Sequence, residues 1–181
     1  MVNLAREVSI WVYNVVFSYV QNKEDAEEIV QDTLLATLSG LEKFKNESSL
    51  KTWVYSIAIN KAKDVLKYRK RKKRYGKVVS IYQDSADGRH FNEPANFTHP
   101  GIELESKEQM DLLFGAINQL PEKQKTAIIL AKLEGMSMKE ISSVMACSPK
   151  AVESLLSRAR NNLKAYLEAE GIKIYKKSTY G

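Results

Sequence analysis

The amino-acid sequence predicts an all-α protein: two small helical domains joined by a flexible linker. Three observations carry that prediction. Apolar residues recur at helical spacing at both ends of the chain, turn formers are scarce (Gly 8 and Pro 4 in 181 residues), and the charge changes sign twice along the sequence. Residues 1–80 carry a net +6, residues 81–111 a net −5 and residues 112–181 a net +5. The acidic middle holds Asp87-Gly88, Pro94 and Pro100-Gly101 and has no sustained apolar period, so it reads as a linker over 78–106. A long loop inside one domain would look similar, but structureless loops of this length are uncommon in compact domains. The expected layout is a domain over 1–77, the linker, a second domain over 107–170 and a tail over 171–181.

The first helix is expected from Leu4 to Val20, with Leu4, Val8, Trp11, Val12, Val15, Val16 and Tyr19 as its inner stripe. Asn22 is a candidate N-cap for the second, whose first turns hold Glu24, Asp25, Glu27 and Glu28 near the positive end of the helix dipole. Its expected inner positions are Ala26, Ile29, Val30, Thr33, Leu34, Leu38 and Leu41. After the polar break Lys45-Asn46-Glu47-Ser48-Ser49, Ser48 or Ser49 caps a third helix. Its expected inner residues are Trp53, Val54, Ile57, Ala58, Ala62, Val65 and Leu66. In the second block, a helix from Met110 to Leu120 stops at Pro121, which opens the next helix where its missing N–H costs nothing. That helix runs to Leu133 and ends at Gly135. Two further helices, Met138 to Met145 and Pro149 to about Ala169, complete the domain.

Composition narrows the function. A basic balance (+6, pI near 9.2) favours a polyanionic partner such as nucleic acid or an anionic membrane surface. The single cysteine, Cys147, excludes an intramolecular disulfide and fits a reducing cytoplasm; in its turn it serves as a small apolar filler. The N-terminus lacks the cleavage site of a signal peptide, and no stretch of about 18 apolar residues could span a membrane. Cytoplasmic localisation is expected. There is no Gly-rich phosphate loop, no nucleophile elbow and no ligand-spaced Cys/His/acid cluster. His90 and His99 in the linker make a poor metal site. No enzyme activity, cofactor, metal or small-molecule substrate is expected.

Residues 137–163 hold the most telling spacing. Ser137 and Glu140 form a capping box ahead of Ile141, Val144 and Met145. Only Ala146-Cys147-Ser148 separates this helix from the next, where Ser148 caps and Pro149 takes the first position. Val152, Leu155, Leu156, Ala159 and Leu163 face inward, while Lys150, Ala151, Ser154, Ser157, Arg158, Asn161 and Asn162 face away. So short a turn favours a steep crossing, as in a helix-turn-helix, which lets the second helix enter a major groove. Short polar side chains near its start would approach base edges, and Arg158, Arg160 and Lys164 would reach phosphates. An ordinary helical hairpin with a solvated outer face has the same spacing.

Eight cations, Lys67, Arg69, Lys70, Arg71, Lys72, Lys73, Arg74 and Lys77, extend the third helix as a stripe that could track a phosphate backbone. Phe44, Trp53 and Tyr55 lie upstream around a polar loop, where aromatics can hold unstacked bases of a single strand. The same aromatics would also serve as core, and Phe44 fits the core better.

Both blocks resemble one family. DAEEIVQDTLLATLSGLEKF followed by SSLKTWVYSIAINKAKDVLKYRKRKKR is similar to region 2 of extracytoplasmic-function (ECF) sigma factors of bacterial RNA polymerase. LPEKQKTAIILAKLEGMSMKEISSVMACSPKAVESLLSRARNNLKAYL is similar to their region 4. The pair in this order, with a short linker and no central domain, is more specific than either half. The resemblance implies a factor that binds core RNA polymerase and directs promoter recognition, DNA opening and initiation, commonly under an anti-sigma factor. It places Glu28, Gln31, Asp32 and Leu35 against the clamp helices of the largest polymerase subunit. It places Asn46, Glu47, Ser48, Ser49, Lys51, Trp53, Asn60, Lys61, Lys67, Arg69, Lys70 and Arg71 at the −10 element of promoter DNA. It places Ser148, Pro149, Lys150, Ala151, Ser154, Ser157, Arg158 and Arg160 at the −35 element. A helix-turn-helix regulator without sigma activity is the alternative. It would account for the C-terminal half but not for an acidic helix followed by a Trp-bearing basic one. The chain departs from the family pattern at Ala146, where a glycine is usual, and at Glu153 and Leu155, where basic residues are frequent. If Ala146 needs a positive φ, it costs about 1 kcal/mol.

Overall fold

Helical periodicity becomes three packed helices in the N-terminal half and four in the C-terminal half, with no strand among the described residues. The computed structural model describes residues 2–79 and 107–170, with side chains over 5–72 and 111–170. The expected linker from residue 80, both histidines and the tail lie outside the described residues. The chain divides into two units, residues 1–97 and 98–181.

In the first unit, α1 (Val2–Val20) buries Val8, Val12, Val15, Val16 and Tyr19, as the stripe predicts, and also Phe17, Ser18 and Val20. Trp11, expected inside, is half-buried. Gln21 takes a positive φ of 51° and turns the chain, and Asn22 accepts from the Asp25 N–H at 2.8 Å to start α2 (Lys23–Gly40). The buried row of α2 is Ala26, Ile29, Thr33 and Thr37, against α1 and α3. Leu38 and Leu41, expected inside, are exposed instead. Small residues at 26, 33 and 37 allow close helix packing, and this rotates the leucines outward.

A short 3₁₀ turn (Leu41–Lys43) and a loop lead to α3 (Leu50–Val79). Ser49 caps it, its Oγ accepting from the Thr52 N–H at 3.1 Å. The buried row is Val54, Tyr55, Ala58, Ile59 and Ala62, so the inner stripe is rotated from the expected one. Tyr55 and Ile59 are core, while Trp53, Ile57, Val65 and Leu66 lie at its margin. α3 continues two residues beyond 77, the boundary read from the sequence.

In the second unit, α4 (Lys107–Gln119) begins three residues before the expected Met110. Pro121 is the N-cap of α5 (Glu122–Ile128), one position earlier than expected; its fixed φ of −53° serves either place. The expected helix to Leu133 changes character. Over Ile129–Leu133 it widens into a π-helical turn, with the Glu134 N–H bonded to the Ile129 carbonyl, and Gly135 at φ 62° ends it. Then come α6 (Met138–Met145) and α7 (Pro149–Ala169). Ile141, Val144, Val152, Leu156 and Ala159 join Ile129 and Leu130 in the core.

Candidate nucleic-acid interface

The link between α6 and α7 explains how this unit presents a helix. Ser137 and Glu140 close the capping box, the Ser137 N–H and Oγ–H donating to Glu140 Oε2 at 2.8 and 2.7 Å. At the other end Ala146 stands at φ 48°, ψ 50°, in the left-handed region. The Cys147 N–H bonds back to Ser142 O (3.1 Å) and the Ala146 N–H to Ser143 O (3.4 Å), which is the Schellman arrangement. The Ser142 hydroxyl also donates to the Cys147 carbonyl. An alanine holds a position suited to glycine, so the turn is strained by about 1 kcal/mol and is kept by these bonds. Ser148 accepts from the Ala151 N–H at 3.2 Å, and Pro149 opens α7.

The expected −35 residues run from Ser148, the N-cap of α7, to Arg160 in its fourth turn. Lys150, Ser154 and Ser157 share its outward face, with Arg158 and Arg160 to either side, and all five are exposed. Pro149 is exposed and Ala151 half-buried; the Ser148 hydroxyl is occupied by its cap. Asn162, expected to point away, instead donates from Nδ2 to Gln124 Oε1 at 2.8 Å and anchors α7 on α5. Leu155 is half-buried, widening the inner stripe.

In the first unit, the expected −10 residues separate into groups. Asn46, at φ 56°, and Glu47 are exposed in the loop before α3, with Ser48 half-buried beside them. Asparagine tolerates this left-handed backbone. Ser49 is committed to the helix cap. Trp53 stacks obliquely on Phe44 with ring centroids 5.0 Å apart, and both are half-buried. Gly40 makes room for the indole: a Cβ there would lie 3.0 Å from Trp53 Cζ2. Tyr55 is fully buried and offers no stacking face to a base, which corrects its placement beside the loop. The Lys51 ammonium lies over the Trp11 and Tyr55 rings, 5.9 and 5.4 Å from their centroids.

Along α3, Trp53, Asn60, Lys67 and Arg71 recur every seven or four residues and form one outward file, with Lys70 exposed beside it. Lys61 and Arg69 leave that file. They turn to the α2 seam, where Lys61 Nζ meets Asp32 Oδ2 at 3.1 Å and Arg69 Nη2 meets Asp25 Oδ2 at 2.5 Å.

The remaining expected cluster is intact: Glu28, Gln31, Asp32 and Leu35 form one exposed stripe on α2, at i, i+3, i+4 and i+7. Leu35 is 63% exposed, and the misassigned Leu38 lies beside it at 40%. Sequence reasoning missed Leu38 because leucine was equated with core; the buried threonines in register with Ala26 and Ile29 were the available signal. An open apolar groove between α1 and α2, about 440 Å³ and lined by Ile10, Tyr13, Val30 and Gln31, continues this face. Burial, then the nearby Glu27 carboxylate, pushes the Tyr13 phenol above its ordinary range, so it stays protonated. Among the described residues no group of His, Cys, Asp and Glu could hold a metal, and no helix is long and apolar enough to cross a membrane.

A cationic helix in one unit and a helix-turn-helix in the other define a DNA-binding protein of transcription. Comparison with known proteins makes this specific. Residues 4–74 match the Sigma-70 region 2 family and residues 110–163 the Sigma-70, region 4 family. The chain is 31% identical to the ECF RNA polymerase sigma-E factor of Haemophilus influenzae, over 84% of this chain and 85% of that one. It is also 31% identical to the RNA polymerase sigma factor SigV of Bacillus subtilis, over 88% and 86%. In structure it resembles the sigma factor RpoE of Bartonella quintana, solved with the anti-sigma factor NepR (TM-score 0.67, 25% identity, 93% of this chain and 96% of that). The chain belongs to the ECF sigma factors, and it directs promoter-specific initiation by RNA polymerase.

Proposed function

We propose a division of labour among three surfaces. The outer face of α2, with Glu28, Gln31, Asp32 and Leu35, docks on the clamp helices of the polymerase, and Leu38 extends that contact. The loop Asn46–Ser49, with Trp53 beside it, captures an unstacked base of the −10 element. The file Asn60–Lys67–Arg71 and Lys70 follow the strand backbone. The start of α7 reads the −35 element through Lys150, Ser154 and Ser157, with Arg158 and Arg160 on phosphates. Unstacking a base costs a few kcal/mol, which capture in the loop must offset. The protein supplies recognition and strand capture and no catalysis of its own, in the cytoplasm beside the polymerase.

The observation that carries this proposal is the segregation of surface charge. Acidic and apolar side chains share the outward face of α2, while cations outnumber acids on the outward face of α3, where Lys67 pairs with Asp64 at 3.6 Å, and at the start of α7, where Glu153 is also exposed. An acidic-apolar face suits a protein and repels DNA; cationic helices suit DNA. Because the Bartonella quintana protein was solved with an anti-sigma factor, a regulator that covers the α2 face is proposed here too. Its copurification from unstressed cells is expected, and its absence there removes that part.

The test is transcription with purified core polymerase, this protein and genomic DNA fragments. Start sites sharing −10 and −35 sequences are expected. They should vanish when Ser154 and Arg158 become alanine and the −35 sequence is retained. Unchanged start sites in that variant would remove the −35 assignment.

A further inference from the structure

The two ion pairs across the α2–α3 seam look alike in sequence terms, each joining an acid of the docking helix to a cation assigned to DNA, but they differ in accessibility. Asp25 lies in the first turn of α2 with 15% of its side chain exposed, so its pair with Arg69 is shielded from an incoming partner. Asp32 has 58% of its side chain exposed, and its partner Lys61 has 31%. Asp32 also stands one residue from Gln31 and three from Leu35, within the stripe proposed to meet polymerase. The same carboxylate therefore faces two possible cations: Lys61 across the seam, and any cation brought by a docking protein.

We infer that the Asp32–Lys61 pair is an exchangeable latch. When polymerase engages Asp32, Lys61 is released to a promoter-strand phosphate, and DNA binding reciprocally frees Asp32 for polymerase. This deepens the proposed function and rests on it. The coupling is reciprocal by thermodynamic necessity. Its size is bounded by the pair it breaks: an exposed ion pair of this kind corresponds to about a two- to fivefold change in an equilibrium constant. In the free protein the latch keeps one cation off DNA. A sigma factor that engages promoter strands only with polymerase gains selectivity from such an arrangement.

The experiment uses the full chain, free and in holoenzyme, and a fluorescent single-stranded −10 oligonucleotide from a mapped promoter, read by anisotropy at low salt. Asp32→Asn is expected to tighten oligonucleotide binding by the free protein about two- to fivefold. In holoenzyme formed at core concentrations that saturate both proteins despite the weaker docking of Asp32→Asn, Lys61 is already released and this gain should be lost. Lys61→Met should weaken the holoenzyme by a similar factor and abolish the effect of Asp32→Asn on the free protein. Glu24→Gln removes a negative charge from α2 away from the seam and reports any general charge effect; circular dichroism melting checks that each variant folds. The latch alone is overturned if Lys61→Met weakens the holoenzyme and Asp32→Asn weakens core binding, yet Asp32→Asn changes free and holoenzyme affinities equally. If Lys61→Met has no effect in holoenzyme, the −10 assignment of Lys61 falls and the latch falls with it.

Discussion

The two units differ in how they hold some of the cations proposed to meet DNA. In the C-terminal unit, Lys150, Arg158 and Arg160 stand exposed on α7 with no ion pair among the described residues. In the N-terminal unit, Lys61 and Arg69 are already matched by Asp32 and Asp25. Their cores differ too. Ile141, Val144, Val152, Leu156 and Ala159 make an apolar seam between α6 and α7, whereas α2 buries two threonines and turns Leu35 and Leu38 outward. A face proposed to meet DNA can leave its cations free. A unit proposed to meet both DNA and a protein keeps opposite charges on adjacent faces, where the two signs partly neutralise each other. The charge written in a sequence is therefore not the charge a surface offers.

The largest effect expected from breaking this contrast is at the α2 face. Replacing Glu28 and Asp32 with lysine together should reduce binding to core polymerase about 100-fold or more, since like charges then oppose across the interface. Copurification with core measures it, and an unchanged melting temperature shows that both sites are on the surface. Retained binding would dissolve the distinction between the two units.

Next comes the file on α3. Changing Lys70 and Arg71 to alanine should weaken single-strand binding at every promoter alike. The slope of log affinity against log salt should fall by about 1.4, roughly 0.7 for each phosphate that is no longer neutralised. A weakening at some promoters and not others would mean that these residues read bases.

The smallest effects sharpen the comparison of cores. Ala146→Gly should stabilise the C-terminal unit by about 1 kcal/mol by removing left-handed strain. Thr33→Val should stabilise the N-terminal unit by about 1 kcal/mol, because the buried Thr33 Oγ1 has no hydrogen-bond partner among the described residues. Thermal melting of each full-length variant measures both. A destabilised Thr33→Val protein would mean that the hydroxyl is satisfied in solution.

The caps show how much of the fold was legible. Asn22, Ser49, Ser137 with Glu140, and Ser148 with Pro149 all act where local chemistry places them, because a cap needs only residues three apart. The family's usual glycine raised a positive φ at Ala146 as a condition, and Ala146 stands at φ 48°. The phases of α2 and α3 were not fully legible. Leucine at 38 and 41 and tryptophan at 53 suit a core in isolation, and only the close approach of three helices showed that Thr37 and Tyr55 occupy it beside the expected Thr33.

The candidate site divides in the same way. The stripe Glu28–Gln31–Asp32–Leu35 and the outward face of α7 are periodic features of single helices, so residue spacing along the chain was sufficient to find them. The pairing of Lys61 with Asp32 joins residues 29 positions apart, and that of Arg69 with Asp25 joins α3 to α2. No local rule specifies such contacts; they depend on the angle and register at which α2 packs on α3. Thus helix type, capping, family and the identity of the charged side chains follow from the sequence alone. Which of those charges stand free, and which are held by a neighbour, was decided by tertiary packing, because an ion pair depends on distance in space and not on separation along the chain.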